Sequence, residues 1–317
     1  MRFLYVTDSH LTRAVPKYRT PQFFDQIMAK WAEVYAIAKE RKADFVLHGG
    51  DLYHNDNPDV DVIVETIKRM SVPTYITVGN HDYKSDSYEG LDSTAIGLME
   101  RSGFLKLTDK DIIIKEPVPP PPGTSIATER RFLIRLSHYL DKKNADRFTL
   151  DSYKEYDWCI LVCHDTIVNE PVRFKHVIAS DIKTRFDLVL CGHYHYPFKM
   201  SVGNTLFINP GSMVRLTRDK KDMERMPQVL YVEYENGGPR YELVPLKSAV
   251  PWQEAFMVDK IEDDIADERK LAEEFVQAVQ TNITALNAEE TLETVAKEQG
   301  VDRAVVETCR TYLKRVA

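Results

Sequence analysis

Short apolar runs rich in β-branched and aromatic residues recur along the first 250 positions. They are RFLYV at 2–6, DFVLHGGD at 44–51, PTYITVGNH at 73–81, FLIRLSHYL at 132–140, WCILVCHD at 158–165, DLVLCGHYH at 187–195, TLFINPGS at 205–212, QVLYVEYE at 228–235 and RYELVPL at 240–246. Each has the length and residue types of a strand. Helical periodicity fills the first gaps, around 21–42 and 58–70, so the chain opens as repeated βαβ units. The last runs follow one another after short turns, which predicts antiparallel pairing. PVPPPPG at 117–123 is too rich in proline for a helix or central strand and reads as an exposed loop. After Pro251 the pattern changes: a strand is expected at 254–260, then helices in ADERKLAEEFVQAVQ, AEETLETVAKEQ and DRAVVETCRTYLKRV. The expected organisation is an α/β domain over 1–250 with mixed sheets, and a small, mainly helical C-terminal unit over 251–317.

With 43% apolar and 29% charged residues, the 317-residue chain falls in the globular range and outside the disordered and fibrous classes. No apolar run approaches the roughly 20 residues of a bilayer helix. The N-terminus enters a strand pattern without the layout of a signal peptide, so a cytoplasmic protein with no membrane association is expected. The cysteines at 159, 163, 191 and 309 show no CxxC spacing and read as reduced thiols. The net charge of −7 argues against a pervasively basic, nucleic-acid-binding surface. The excess is local, however. Residues 252–317 hold 8 Lys and Arg against 15 Asp and Glu, leaving 34 of each in the body.

Residues of metal-ligand type stand where the apolar runs end: Asp8 and His10, Asp51, Asn80 and His81, His164, and His193 and His195. In open α/β sheets, ligands gather outside the carboxyl ends of the strands, where distant positions converge. Carboxylate and carboxamide oxygens mixed with imidazoles suit Mn, Fe, Zn or Co better than Ca, and the absence of a thiolate set argues against structural zinc. The expected site is a binuclear hydrolytic centre. His48, His138 and His176 read as structural or exposed, and Cys163 and Cys191 as buried packing residues.

The ordered set DxH, GGD, GNHD, a lone strand-end His and GHxH resembles the calcineurin-like metallophosphoesterase superfamily over about residues 1–245. The resemblance implies a four-layer α/β/β/α sandwich. It implies that Asp8, His10 and His195 hold one metal, that Asn80, His164 and His193 hold the other, and that Asp51 bridges them. A hydroxide shared by the ions would then attack phosphorus in line, with His81 facing the substrate as a catalytic group. His54, three residues after Asp51, is similar to a second substrate-side histidine of recombination nucleases. GGDLYH and the following NDNPDV resemble the SbcCD-type and meiotic-recombination-type DNA repair branch. NPGSMVRLTRDKKDMERMPQVLYVEYE resembles the hairpin of its small phage and bacterial members, in which a PGS turn precedes an arginine-bearing strand.

The expected function is therefore a two-metal, Mn-dependent DNA exo- or endonuclease of recombination and repair, with Fe, Zn, Co or Mg as other candidate ions. Its setting would be the cytosol of a bacterium or a phage-infected host. The expected partners are DNA, an SMC-like ATPase with a long coiled coil (SbcC-type), and a second copy of the chain. Arg13, Lys17, Arg19, Arg215 and Arg218 are the candidate DNA-backbone contacts. Tyr18, Tyr53, Tyr83, Tyr194 and Tyr196 are candidates for stacking on bases. The acidic tail and the absence of an evident DNA-binding module keep a small-molecule nucleotide phosphodiesterase or phosphomonoesterase as the alternative. A non-catalytic scaffold of the same fold is the third reading.

Overall fold

The computed structural model describes residues 1–316 apart from 86, 119–127, 144, 152, 236–237 and 283–287. The described residues divide into two compact units, Met1–Ala255 and Phe256–Ala317.

The first unit runs β1 (Arg2–Val6), α1 (Phe23–Glu40), β2 (Phe45–His48), α2 (Val60–Arg69), β3 (Thr74–Ile76), α3 (Ala95–Arg101), β4 (Ile112–Val118), β5 (Thr128–Ser137) and β6 (Trp158–Asp165). It continues with β7 (Ile167–Val168), β8 (Val177–Ile178), β9 (Leu188–His193), β10 (Phe198–Val202), β11 (Thr205–Asn209), α4 (Lys220–Glu224), β12 (Gln228–Glu235), β13 (Gly238–Pro245) and α5 (Trp252–Ala255). Two mixed sheets result, in the orders β13-β12-β1-β2-β3 and β10-β11-β9-β6-β5-β4. The central strands β1-β2-β3 and β5-β6-β9-β11 are parallel, and their carboxyl ends share one rim. Within the two sheets, among the described residues, β12 on β1, β13 on β12, β10 on β11 and β4 on β5 pair antiparallel.

The sheets face each other across Phe3, Tyr5, Phe45 and Leu47 on one side and Phe132, Ile134, Ile160, Val162, Leu188 and Leu190 on the other. Burial of such side chains stabilises the fold by about 1.5–3 kcal/mol each. Strand β6 is buried at every position, which explains its continuous apolar run: strands covered on both faces do not alternate. The outer face of the first sheet is covered by α1, whose Phe23, Ile27, Trp31, Val34, Tyr35 and Ala38 recur at helical spacing. On the outer face of the second sheet, a loop supplies Leu150, the small β7–β8 pair Ile167 and Val168, and a 3-10 turn Ala179.

The second unit consists of α6 (Val258–Asn282), α7 (Ala288–Gln299) and α8 (Arg303–Val316). Its core joins Ala272, Phe275 and Val279 to Leu292 and Ala296 and to Val306 and Cys309. No helix among the described residues is long and apolar enough to cross a membrane.

Three local expectations are corrected. The run at 254–260 is not a strand: Ala255 ends α5, Phe256 and Met257 link it to α6, and Val258 begins α6, with Ala255 and Phe256 buried. Pro117 and Val118 close β4, an edge strand where the missing proline N–H interrupts no interior ladder, while 119–127 lie outside the described residues. The arginine-bearing segment after the PGS turn is irregular between β11 and α4, not a strand.

Candidate metal centre

The strand-end residues converge on one rim of the first unit. Asp8 and His10 follow β1, Asp51 follows β2, Asn80 and His81 follow β3, His164 lies in β6, and His193 and His195 lie at and beyond the end of β9. The turns that aim them are tight. Asp8, His10, Asp51 and His193 adopt φ values of 51, 42, 54 and 72°, in the left-handed region that non-glycine residues enter at a cost. Two glycines give the turns room. A Cβ on Gly79 would stand 2.1 Å from Asp51 Oδ1, and one on Gly50 (φ 98°) would stand 2.4 Å from His164 Nδ1.

Donor atoms of Asp8, His10 and His195 form one group, and those of Asp51, His164 and His193 a second. Asn80 joins the second group, its Oδ1 3.3 Å from His164 Nε2. Asp51 Oδ2 reaches both, lying 3.7 Å from His10 Nε2 and 3.4 Å from His164 Nε2. Two pairs of imidazole nitrogens face each other at 3.2 Å, His10 Nε2 with His195 Nε2 and His164 Nε2 with His193 Nδ1. Converging lone pairs need a proton or a cation among them, and nitrogen and oxygen donors without thiolate suit intermediate divalent ions. The residues present therefore fit two such ions.

Protonation states agree with this. Burial lowers His10 to about 3 and His193 to about 4, leaving neutral imidazoles ready to ligate. Burial alone would raise the carboxyls of Asp8 and Asp51, but His195 acting on Asp8 and His164 acting on Asp51 hold both below the usual carboxylate range. At His164 burial also opposes charge, yet Asp51 and Asp8 outweigh it and push the imidazole from 6.5 up to about 10. The resulting stabilisation is complete below pH 6.5, where folded and unfolded chains both hold the proton, and is lost as pH rises through about 10. Metal-free protein is therefore expected to lose stability relative to a His164→Asn variant across this window. Mn2+ uptake should strengthen over the same range, because the ion displaces the proton. Calorimetric melting of the two proteins at several pH values checks this, and a pH-independent difference would refute it.

His54, His81 and His10 form a third grouping of donor atoms. The His54 and His81 rings stack at 5.4 Å, and His81 stands edge-on to His10 at 4.9 Å. His81 Nδ1–H donates to the His54 carbonyl at 2.8 Å, which fixes the tautomer and leaves Nε2 to handle a proton. Burial, then the neighbouring His81, lowers the pKa of His54.

Surrounding groups hold the ligands. Thr7 Oγ1 donates to Asp8 Oδ2 at 2.6 Å, and His164 Nδ1–H donates to the Gly49 carbonyl at 2.7 Å. Asp82 has no role in the sequence reading. Its carboxylate accepts from the backbone N–H groups of Asp51 (2.9 Å), Gly79 (2.8 Å) and Leu52 (3.2 Å), latching two ligand turns together. The signal available in the sequence is its place in GNHD, a carboxylate one residue beyond the ligand turn. His48 is buried, with Nδ1 accepting from Gly50 N–H and Nε2 2.8 Å from Ser9 Oγ; His138 is buried and His176 partly exposed.

The cations divide. Arg19 is buried, its guanidinium donating to the carbonyls of Ala255 (2.8 Å) and Arg215 and to Gln26 (2.6 Å). Arg215 is also buried, donating to the carbonyls of Met223 (3.1 Å) and Val250 (2.6 Å). Both assignments to DNA contact are corrected, since neither side chain reaches the surface. Arg13 is exposed but pairs with Asp61 and lies over the Phe24 ring. Lys17 and Arg218 both lie over the Tyr18 ring, at 4.9 and 5.5 Å. Of the other tyrosines, Tyr53, Tyr83 and Tyr194 are buried, while Tyr196 is partly exposed.

The family model for calcineurin-like phosphoesterases matches residues 1–197. The chain is similar to the DNA double-strand break repair protein Mre11 of Halobacterium salinarum, at 25% identity over 230 residues, covering 70% of this chain and 54% of that protein. Similarity to the double-strand break repair protein MRE11 of Encephalitozoon cuniculi is 24% over 256 residues, covering 68% and 42%. For Mre11 of Methanococcus maripaludis it is 23% over 287 residues, covering 86% and 73%. The chain thus spans about half the length of the first two of these relatives.

Proposed function

This chain belongs to the calcineurin-like phosphoesterase family, and from that premise we propose that it is a two-metal DNA phosphodiesterase of double-strand break repair type. The observation that carries the reading is the pair of donor groups sharing Asp51, with the stacked His54 and His81 against one of them. In it, Asp8, His10 and His195 hold one ion and Asn80, His164 and His193 the other. Two divalent ions, Mn2+ foremost, supply charge against the phosphoryl oxygens and make water nucleophilic at neutral pH. The chain's own part is to hold those ions, to orient the phosphate, and, with His81 as an imidazolium that keeps its Nδ1 proton on the His54 carbonyl, to deliver the Nε2 proton toward the departing oxygen. In this reading Lys17 and Arg218, which lie over the Tyr18 ring, meet the phosphate backbone. The relatives' names supply the DNA substrate, and an ATPase partner with a long coiled coil is the assembly this reading favours.

One observation favours a second reading. With Arg19 and Arg215 buried and Arg13 paired, fewer cations border the site than the sequence promised, which suits a mononucleotide or another small phosphoester. Turnover with Mn2+ of single- and double-stranded DNA, mononucleotides, cyclic nucleotides and bis-p-nitrophenyl phosphate separates the two. DNA cleavage that is lost on chelation supports the first reading. Hydrolysis of bis-p-nitrophenyl phosphate and mononucleotides with DNA left intact supports the second.

A further inference from the structure

The segment 212–215 lies between β11 and α4 without regular structure, so no sheet or helix satisfies its carbonyls. Cations do so instead. The Ser212 carbonyl accepts from Arg225 at 2.6 Å, that of Met213 from Lys30 Nζ at 2.7 Å, that of Val214 again from Arg225, and that of Arg215 from Arg19. Four consecutive carbonyls are thus held by three side chains. Lys30 and Arg19 are buried, and the Arg225 side chain is nearly so, at 7% exposure. Asp222 is the carboxylate among them, accepting from Arg225 Nε at 2.8 Å. Burying several cations around one carboxylate is costly, so this arrangement requires a reason.

The other side of the same segment faces the ligands. Ser212 Oγ lies 2.8 Å from the Asp8 carbonyl and 2.9 Å from that of Val214, its one proton shared between them; Ser212 N–H donates to the His195 carbonyl at 3.0 Å, and Met213 N–H donates to that of Thr7 at 3.1 Å. Asp8 and His195 belong to one donor group. His164, in the other group, is held instead through Gly49, and Asp51 through Asp82.

We infer that Lys30 and Arg225, with Arg19 holding the adjoining Arg215 carbonyl, are positioning residues that act through Met213 and Ser212 on a single metal position, that of Asp8, His10 and His195. They set the spacing of its ligands and so its affinity, independently of the neighbouring position. This rests on the two-metal reading above.

The test is calorimetric titration of the full chain with MnCl2. Wild type is expected to bind in two events, and Asn80→Ala identifies the event belonging to the other position. Lys30→Met and Ser212→Ala should each weaken the remaining event by about 10- to 100-fold while shifting the identified one by less than about threefold. Lys30→Arg, which keeps a donor for the Met213 carbonyl, should restore it. Ser212→Ala removes one hydroxyl and serves if Lys30→Met does not fold. The proposal is overturned if both variants bind both ions as wild type does. Equal weakening of the two events also overturns it, since that reflects general loosening of the rim. A wild-type protein that binds no Mn2+ overturns the two-metal reading, and this inference with it.

Discussion

Asp51→Asn is expected to lower phosphodiester hydrolysis by about 10²- to 10³-fold, of the order seen when a group stabilising the transition state is removed. Asp51 Oδ2 reaches both donor groups, at 3.7 Å from His10 and 3.4 Å from His164, so one substitution strikes both groups. An amide can present only one oxygen, and Asp51 Oδ1 is already engaged by the His81 backbone N–H at 2.9 Å. Folding should survive, because Asn accepts the left-handed φ of 54° at this position. Hydrolysis of bis-p-nitrophenyl phosphate with Mn2+, beside melting curves of both proteins, is the measurement. Near-wild-type turnover would remove Asp51 from the centre.

His81→Ala should divide substrates by leaving group. Loss of a general acid costs about 10²- to 10⁴-fold where the departing oxygen needs a proton, as in DNA. p-Nitrophenolate leaves without one, so bis-p-nitrophenyl phosphate should suffer about tenfold or less. The basis is the 2.8 Å bond from Nδ1 to the His54 carbonyl, which leaves Nε2 as the atom that the proposed role aims at the departing oxygen. Equal losses on both substrates would reassign His81 to stabilising charge on the phosphorus centre.

The rim was readable because each of its residues breaks an apolar run: Asp51 after FVLHGG or His193 after LVLCG interrupts a strand that packing demands be hydrophobic. Parallel order was less legible. β6, β9 and β11 are parallel neighbours because the chain crosses over between them, although WCILVCHD, DLVLCGHYH and TLFINPGS look like successive strands of a meander. Cations were least legible. Arg19 and Arg215 sit in polar loops indistinguishable in sequence from solvated ones, and only the unsatisfied carbonyls of an irregular segment, created by the tertiary fold, draw them inside. FMV at 256–258 misled for a related reason: three apolar residues in a row do not reveal a helix start.

The left-handed ligand turns carry a consequence for laboratory evolution. Four non-glycine residues, Asp8, His10, Asp51 and His193, hold backbone conformations that glycine would adopt freely, at about 1 kcal/mol or more apiece. Selection for heat resistance alone would therefore favour glycine at His10 and His193, whose imidazoles are neutral, over Asp8 and Asp51, which pair with His164, and would strip each donor group of a ligand. A library of this chain screened without a demand for turnover should yield sturdier proteins that no longer bind metal.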